Sequence, residues 1–204
     1  MIVIIDYGAG NLCSVLNAFE AIGQKTCLTN DPKKIAKASA IVLPGVGAFG
    51  DCMANLHRLH LVELLNELVL SEKKPYLGIC LGLQFLAERS YEQGEHKGLG
   101  WIKGEVRRIE SKNKNFRIPH MGWNNIEYKN NCPLFYDMTR EPVFYFVHSY
   151  QFCVKDENYI TATCFHGTTI VASIQKNNIF GVQFHPEKSQ ENGIKLLKNF
   201  INII

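Results

Sequence analysis

Over residues 1–90, short apolar runs alternate with stretches of helical spacing, and this alternation constrains the fold more than any single motif. Met1–Asp6, Ala40–Leu43 and Tyr76–Ile79 have the length and composition of buried strands, whereas Leu12–Ile22 and Phe49–Leu70 carry the helical period. Strand, helix and strand in succession demand parallel strands with helical crossovers, because parallel neighbours cannot be joined by a tight turn. From Gly98 the texture changes. Trp101–Ile109, Val143–Val147, Tyr159–Phe165, Thr169–Gln175 and Ile179–Phe184 are β-rich segments separated by Asn, Gly and Pro, and they read as antiparallel. Lys176-Asn177-Asn178 marks a turn between the last two, and a helix from about Glu191 to Asn199 closes the chain. With no repeat, low-complexity tract or linker, residues 1–204 are expected to form a single α/β domain with a mixed, mainly parallel sheet.

Composition narrows the function classes. A chain that is 46% hydrophobic supplies enough apolar material for a core, and a formal charge of +3 is too mild for a nucleic-acid surface. One stretch is more basic: Lys103, Arg107, Arg108, Lys112, Lys114 and Arg117 stand against Glu105 and Glu110. It reads as a solvated hairpin edge or as a binding surface. The N-terminus lacks a basic leader region, and Leu61–Leu70 is interrupted by Glu63, Asn66 and Glu67, so neither a signal nor a membrane span is expected and the protein should be cytoplasmic. Seven cysteines in scattered positions, none in C-x-x-C spacing, point to reduced thiols rather than disulfides or a metal site.

Gly78-Ile79-Cys80-Leu81-Gly82 follows the apolar strand and opens a helix-compatible run. That is the setting of a nucleophile elbow with cysteine in the nucleophile position. The turn is so tight that the residues two places to either side must lack side chains, which Gly78 and Gly82 satisfy. A sulfur at a helix start is favoured as thiolate, and the Leu81 N–H can donate to an oxyanion. The competing reading is one more buried thiol.

Near the C-terminus, His185-Pro186-Glu187 ends a strand. In an extended segment the two side chains face the same way, so Glu187 can orient the His185 ring while the other nitrogen serves a thiol; a surface pair without a role is the alternative. Pro44-Gly45-Val46-Gly47 lies at the carboxyl end of a predicted parallel strand, where such folds bind ligands, and Gly47 is assigned the second oxyanion donor, against an ordinary strand-to-helix turn. Gly8-Ala9-Gly10-Asn11 is similar, but Cys13 replaces the third glycine of a dinucleotide fingerprint, and no cofactor is expected.

With these residues the chain resembles the class I glutamine amidotransferases over its full length, and within them the glutaminase subunits of imidazole glycerol phosphate synthase. Gly78–Gln84 and His185–Glu187 carry the class likeness; Asp6–Asn11, Pro44–Phe49, Pro119–Asn124, Tyr145–Tyr150 and Gly181–Ser189 carry the narrower one. The resemblance implies a three-layer fold with helices on both sheet faces. It implies a Cys80, His185, Glu187 triad with an oxyanion site at Gly47 and Leu81. It implies L-glutamine held by Gln84 and Glu92 with main-chain help from His148, Ser149 and Tyr150. It also implies a (β/α)8-barrel cyclase partner, met through Asn11, Met121, Trp123, Tyr145 and Lys188, that uses the ammonia to make imidazole glycerol phosphate and AICAR from PRFAR in histidine biosynthesis. Without the resemblance, Trp123 and Tyr145 read equally as core aromatics or interface anchors. Trp101 and Lys103 depart from the family pattern, which keeps open a paralogous glutaminase serving surface-sugar amidation; a stand-alone cysteine amidohydrolase is a separate alternative.

Overall fold

The computed structural model describes residues 1–111, 115–129 and 131–204. Among them, the first half supplies strands β1 (Ile2–Ile5), β2 (Thr26–Thr29), β3 (Ala40–Gly45) and β4 (Tyr76–Cys80), interleaved with helices α1 (Leu12–Glu20), α2 (Pro32–Ala36), α3 (Phe49–Arg58) and α4 (Leu61–Leu65). A single helical turn, α5 (Leu81–Gln84), follows β4. Then come β5 (Arg89–Ser90), β6 (His96–Lys97), β7 (Gly104–Arg108), β8 (His120–Asn125), β9 (Glu127–Tyr128), β10 (Val143–His148), β11 (Tyr150–Val154), β12 (Ile160–Phe165), β13 (Thr169–Lys176), β14 (Ile179–Val182) and helix α6 (Gln190–Ile201).

The main sheet runs β2-β1-β3-β4-β14-β13-β12-β9. It is parallel from β2 through β14 and antiparallel from β14 to β9. Alternate residues of β1 show why helices cover both faces: Ile2 and Ile4 belong to the same buried cluster as Val15 and Phe19 of α1 and Leu197 of α6, while Val3 and Ile5 belong to the one that holds Met53 and Leu56 of α3. A strand buried on both faces is apolar without interruption, which is why β1 and β3 were legible. Two smaller sheets, β10-β8 and β11-β7-β5-β6, flank the carboxyl ends of the parallel strands.

Several expectations are corrected. The helix expected over Phe49–Leu70 breaks at His60, which takes a left-handed φ of 54°, and resumes as α4 and a π-helical turn at Asn66–Ser71. Periodicity cannot register a one-residue break that keeps the same face buried. The expected strand Trp101–Ile109 shortens to β7, because Trp101 is buried edge-on to Tyr76 and donates to Asn66 at 2.7 Å. Nor is β7 a hairpin edge: it lies between β11 and β5, and Arg107 there pairs with Glu105 at 3.1 Å and sits over the Tyr91 ring. Lys112 and Lys114 of the basic stretch lie outside the described residues. Strands β2, β8 and β11 were not foreseen, since β2 is half-buried and β8 mixes polar and exposed apolar residues. All seven cysteines are free.

Candidate active site

β4 delivers Cys80 to the carboxyl edge of the parallel sheet with φ 54° and ψ −105°, a backbone state that L-residues rarely adopt. The flanking glycines make this possible. A Cβ on Gly78 would lie 2.4 Å from the Gly82 carbonyl oxygen, and one on Gly82 would lie 1.8 Å from that of Leu43. The buried Tyr76 hydroxyl donates to the Gly82 carbonyl at 3.0 Å, fixing the far side of the turn. The run after Cys80 is only one turn long, yet Leu81, as its first residue, precedes any intrahelical partner for its N–H.

His185 and Glu187 meet with Nδ1 to Oε1 at 2.7 Å, and their side chains are only 2% and 3% exposed. The local conformation differs from the extended one expected. Pro186–Lys188 is a 3-10 turn on which α6 packs so closely that a Cβ at Gly193 would lie 1.8 Å from the Pro186 carbonyl oxygen. The Nε2 atom of His185 is buried without a well-formed hydrogen bond. Burial alone would lower the basicity of this ring; the neighbouring Cys80 sulfur and the Glu187 carboxylate outweigh it and raise His185 to about 10. The imidazole therefore lies within the electrostatic reach of both groups, in the order sulfur, ring, carboxylate.

A cavity of about 360 Å³ opens in front of this set, and Gly47, Cys80, Leu81, Gln84 and Glu92 line it together with the His148–Tyr150 segment. Gly45 lies beside Cys80 in the β3–β4 register, which brings the glycine loop to the nucleophile. Gly47 has a φ of 120°, a region suited to glycine. Both amide hydrogens of Gln84 are engaged by the protein, on the Tyr150 carbonyl at 3.1 Å and on Gln183 Oε1 at 3.0 Å, so Gln84 offers a ligand its carbonyl oxygen. Glu92 Oε2 accepts from the Phe49 N–H at 2.8 Å, capping α3 where Ala48 has no side chain to do so.

Gln183 and His120, to which the sequence reading gave no role, support this arrangement, as does the side chain of His148. Gln183 is fully buried, and its Nε2 donates to Cys80 Sγ at 3.6 Å. A signal was available, because Gln183 and His185 share a face in an extended segment. His148 Nδ1 donates to the Tyr150 carbonyl at 2.8 Å, so its Nε2 must accept from His120 Nδ1 at 2.9 Å, and His120 Nε2 then accepts from Asn124 at 3.1 Å. Burial first, then neighbouring histidines, lower His120 to about 3; burial likewise lowers His148 to about 4, so both are neutral. Among the described residues no cluster of three or more His, Cys, Asp or Glu could hold a metal ion.

Of the residues assigned to a partner, Met121 and Trp123 are 61% and 50% exposed on β8. Trp123 packs edge-on to Tyr145, and the Lys188 ammonium lies 5.8 Å from the Tyr145 ring centre. Asn11 is exposed at the start of α1, which packs against the Pro186–Lys188 turn. Trp101 and Lys103 do not line the cavity; the Trp101 side chain is a buried wedge, and the Lys103 carbonyl pairs with the Lys155 N–H.

Residues 3–203 match the family model for class-I glutamine amidotransferases. The chain is 50% identical to the imidazole glycerol phosphate synthase subunit HisH 1 of Campylobacter jejuni (strain RM1221), covering all of both chains. It is 46% identical to the HisH subunit of Aquifex aeolicus, over 97% of this chain and 94% of that one. Among solved structures, PurLQS from Thermotoga maritima superposes with a TM-score of 0.76 at 20% identity, covering 99% of this chain and 97% of that one. A structure described as a glutamine amidotransferase superposes at 0.77 with 15% identity, over 100% and 98% of the two chains, which speaks to the fold. The chain belongs to the class-I glutamine amidotransferases, among the HisH subunits of imidazole glycerol phosphate synthase.

Proposed function

We propose that residues 1–204 act as one glutaminase unit that hydrolyses L-glutamine to glutamate and ammonia with Cys80 as nucleophile, for imidazole glycerol phosphate synthase in histidine biosynthesis. The observation that carries this reading is the His185–Glu187 pair at 2.7 Å, set beside a Cys80 that borders a cavity together with Gly47 and Leu81. Gln84 Oε1 and Glu92 suit the substrate ammonium, and N–H groups of the His148–Tyr150 segment suit its carboxylate. The Ser149 carbonyl accepts from the Ile109 N–H, and the Tyr150 carbonyl already takes two donors, so acceptors there are largely spent.

In the first step the Cys80 thiolate attacks the side-chain carboxamide carbon, and the N–H groups of Gly47 and Leu81 receive the oxyanion. His185 gives its Nε2 proton to the departing nitrogen; ammonia leaves and a γ-glutamyl thioester remains. Forming the thioester removes the negative charge from sulfur. His185 thereby loses the interaction that most raised it and becomes able to take a proton from water, which attacks the thioester, releases glutamate and restores the thiolate–imidazolium pair.

Ammonia released into neutral water becomes ammonium and loses its nucleophilicity, so the product needs an enclosed path to an acceptor. The partner is proposed to be a (β/α)8-barrel cyclase docking on Asn11, Met121, Trp123, Tyr145 and Lys188. No described helix is long and apolar enough to cross a membrane, and a cytoplasmic site of action is proposed. The HisH names of the relatives favour this pathway over surface-sugar amidation. Glutamate release measured with and without partner, for wild type and Cys80→Ala, tests the reading. Cys80→Ala should abolish glutamine-dependent synthesis and spare synthesis from ammonium salts; loss of both would overturn the division of labour. Equal turnover with and without a partner would favour a stand-alone amidohydrolase.

A further inference from the structure

We infer that Gln183 is a fourth member of the catalytic set, a buried hydrogen-bond donor that holds the Cys80 sulfur in its reactive form; this deepens the glutaminase reading and rests on it. β14 runs parallel to β4 with Gly181 beside Gly78 and Val182 beside Ile79, so the next residue, Gln183, falls alongside Cys80. Its side chain is fully buried, and Nε2 approaches Sγ at 3.6 Å, within range for a hydrogen bond to sulfur.

The orientation of the Gln183 amide is fixed from the other end. Gln84 Nε2 donates to Gln183 Oε1 at 3.0 Å and to the Tyr150 carbonyl at 3.1 Å, and a carbonyl can only accept. Gln84 must therefore present its nitrogen to both, Gln183 must present its oxygen to Gln84, and the Gln183 nitrogen is left for sulfur. Two amides thus run in series from a cavity wall to the nucleophile. A buried thiolate without donors is costly, and a neutral N–H donor stabilises it without adding a charge that would compete with His185. The main chain of Gln183 is held separately by its N–H on the Ala172 carbonyl at 2.9 Å, so side-chain substitution leaves the strand pairing intact.

Two substitutions separate this role from packing. Gln183→Leu removes donor and acceptor together. Gln183→Glu keeps the size and the acceptor for Gln84 but sets a carboxylate oxygen against sulfur. Glutamate release is measured with partner bound, and alkylation of Cys80 by iodoacetamide is followed at its own peptide by mass spectrometry above neutral pH. Gln183→Leu should lower kcat about 10- to 100-fold with a much smaller change in KM, the loss expected for a hydrogen bond to a charged group. Gln183→Glu should be at least as severe, and in both variants the pH midpoint of Cys80 alkylation should rise. A Gln183→Glu variant with near-normal kcat and an unmoved alkylation profile would overturn the inference, whatever Gln183→Leu does; if Gln183→Leu fails to fold, Gln183→Glu decides. Cys80→Ala that still released glutamate would instead sink the parent reading.

Discussion

The backbone N–H of His185 donates to the carbonyl of Tyr145 at 2.9 Å, so β10, which carries one of the two proposed docking aromatics, also holds the proposed base. The link is doubled by Ser189, whose hydroxyl donates to the His185 carbonyl at 2.6 Å and accepts the Tyr145 N–H at 3.0 Å. A displacement of β10 would reach His185 through its main chain and through the Ser189 side chain.

Ser189→Ala should break half of that link. The residue is 1% exposed, so the Tyr145 N–H would be buried without its acceptor. A stability loss of about 1–3 kcal/mol is expected, read as a lower denaturant midpoint at unchanged slope. The ratio of glutaminase rates with and without partner should also shrink; a variant with wild-type stability and ratio would show that the link carries nothing.

The elbow glycines should be intolerant for a different reason from Gly47. Gly82→Ala and Gly78→Ala each drive a methyl into backbone, and a cost of about 3 kcal/mol or more is expected, with poor yield of folded protein. At Gly47 the nearest atom to an added Cβ is Cys52 Sγ at 3.6 Å, so alanine is opposed by φ alone. Gly47→Ala should fold with a cost of about 1–2 kcal/mol yet lose glutaminase activity, because only that loop backbone is disturbed. Circular dichroism melts beside glutamate release distinguish the two patterns.

Glu187→Gln keeps a hydrogen-bond partner for Nδ1 but removes the negative charge that helps raise His185. For a group raised in the folded state, the stabilising contribution is complete below the ordinary histidine value and is lost as pH climbs through the raised one, about 10 here. The variant should therefore lose its imidazolium at lower pH than wild type, and Cys80 alkylation near neutral pH should slow, because a less basic imidazole leaves the proton on sulfur. A fall of at least about 10²-fold in kcat is expected from the misplaced proton. An unchanged alkylation profile would count against Glu187 as the orienting group.

His120 and His148 carry the opposite sign. Both are lowered, to about 3 and about 4, so each binds a proton in the unfolded chain at a pH where the folded chain refuses it. Their contribution is complete above the ordinary histidine value and is lost as pH falls through the lowered ones. Stability should decline from about pH 6.5 to about pH 4, with His148 alone contributing a slope of up to about 1.4 kcal/mol per pH unit. Urea midpoints across that range should show a flatter slope in His148→Gln than in wild type.

The parallel half of the fold was legible because strands buried on both faces must be apolar without interruption, as β1 and β3 are. The same holds for the turn around Cys80, where backbone clashes at Gly78 and Gly82 leave one residue type. His185 and Glu187 were found through their local spacing, although the turn that joins them is 3-10 rather than extended. What the chain could not announce were relations between strands distant in sequence. Gln183 reaches Cys80 through the β14–β4 register, 103 positions apart, and Trp101 finds Asn66 only after both helices and sheet have packed. His120 and His148 become a neutral pair because β8 and β10 pair there and exclude water. Local sequence sets backbone preference and side-chain chemistry; partner identity and basicity are set by what tertiary packing places within a few ångströms and how much water it leaves.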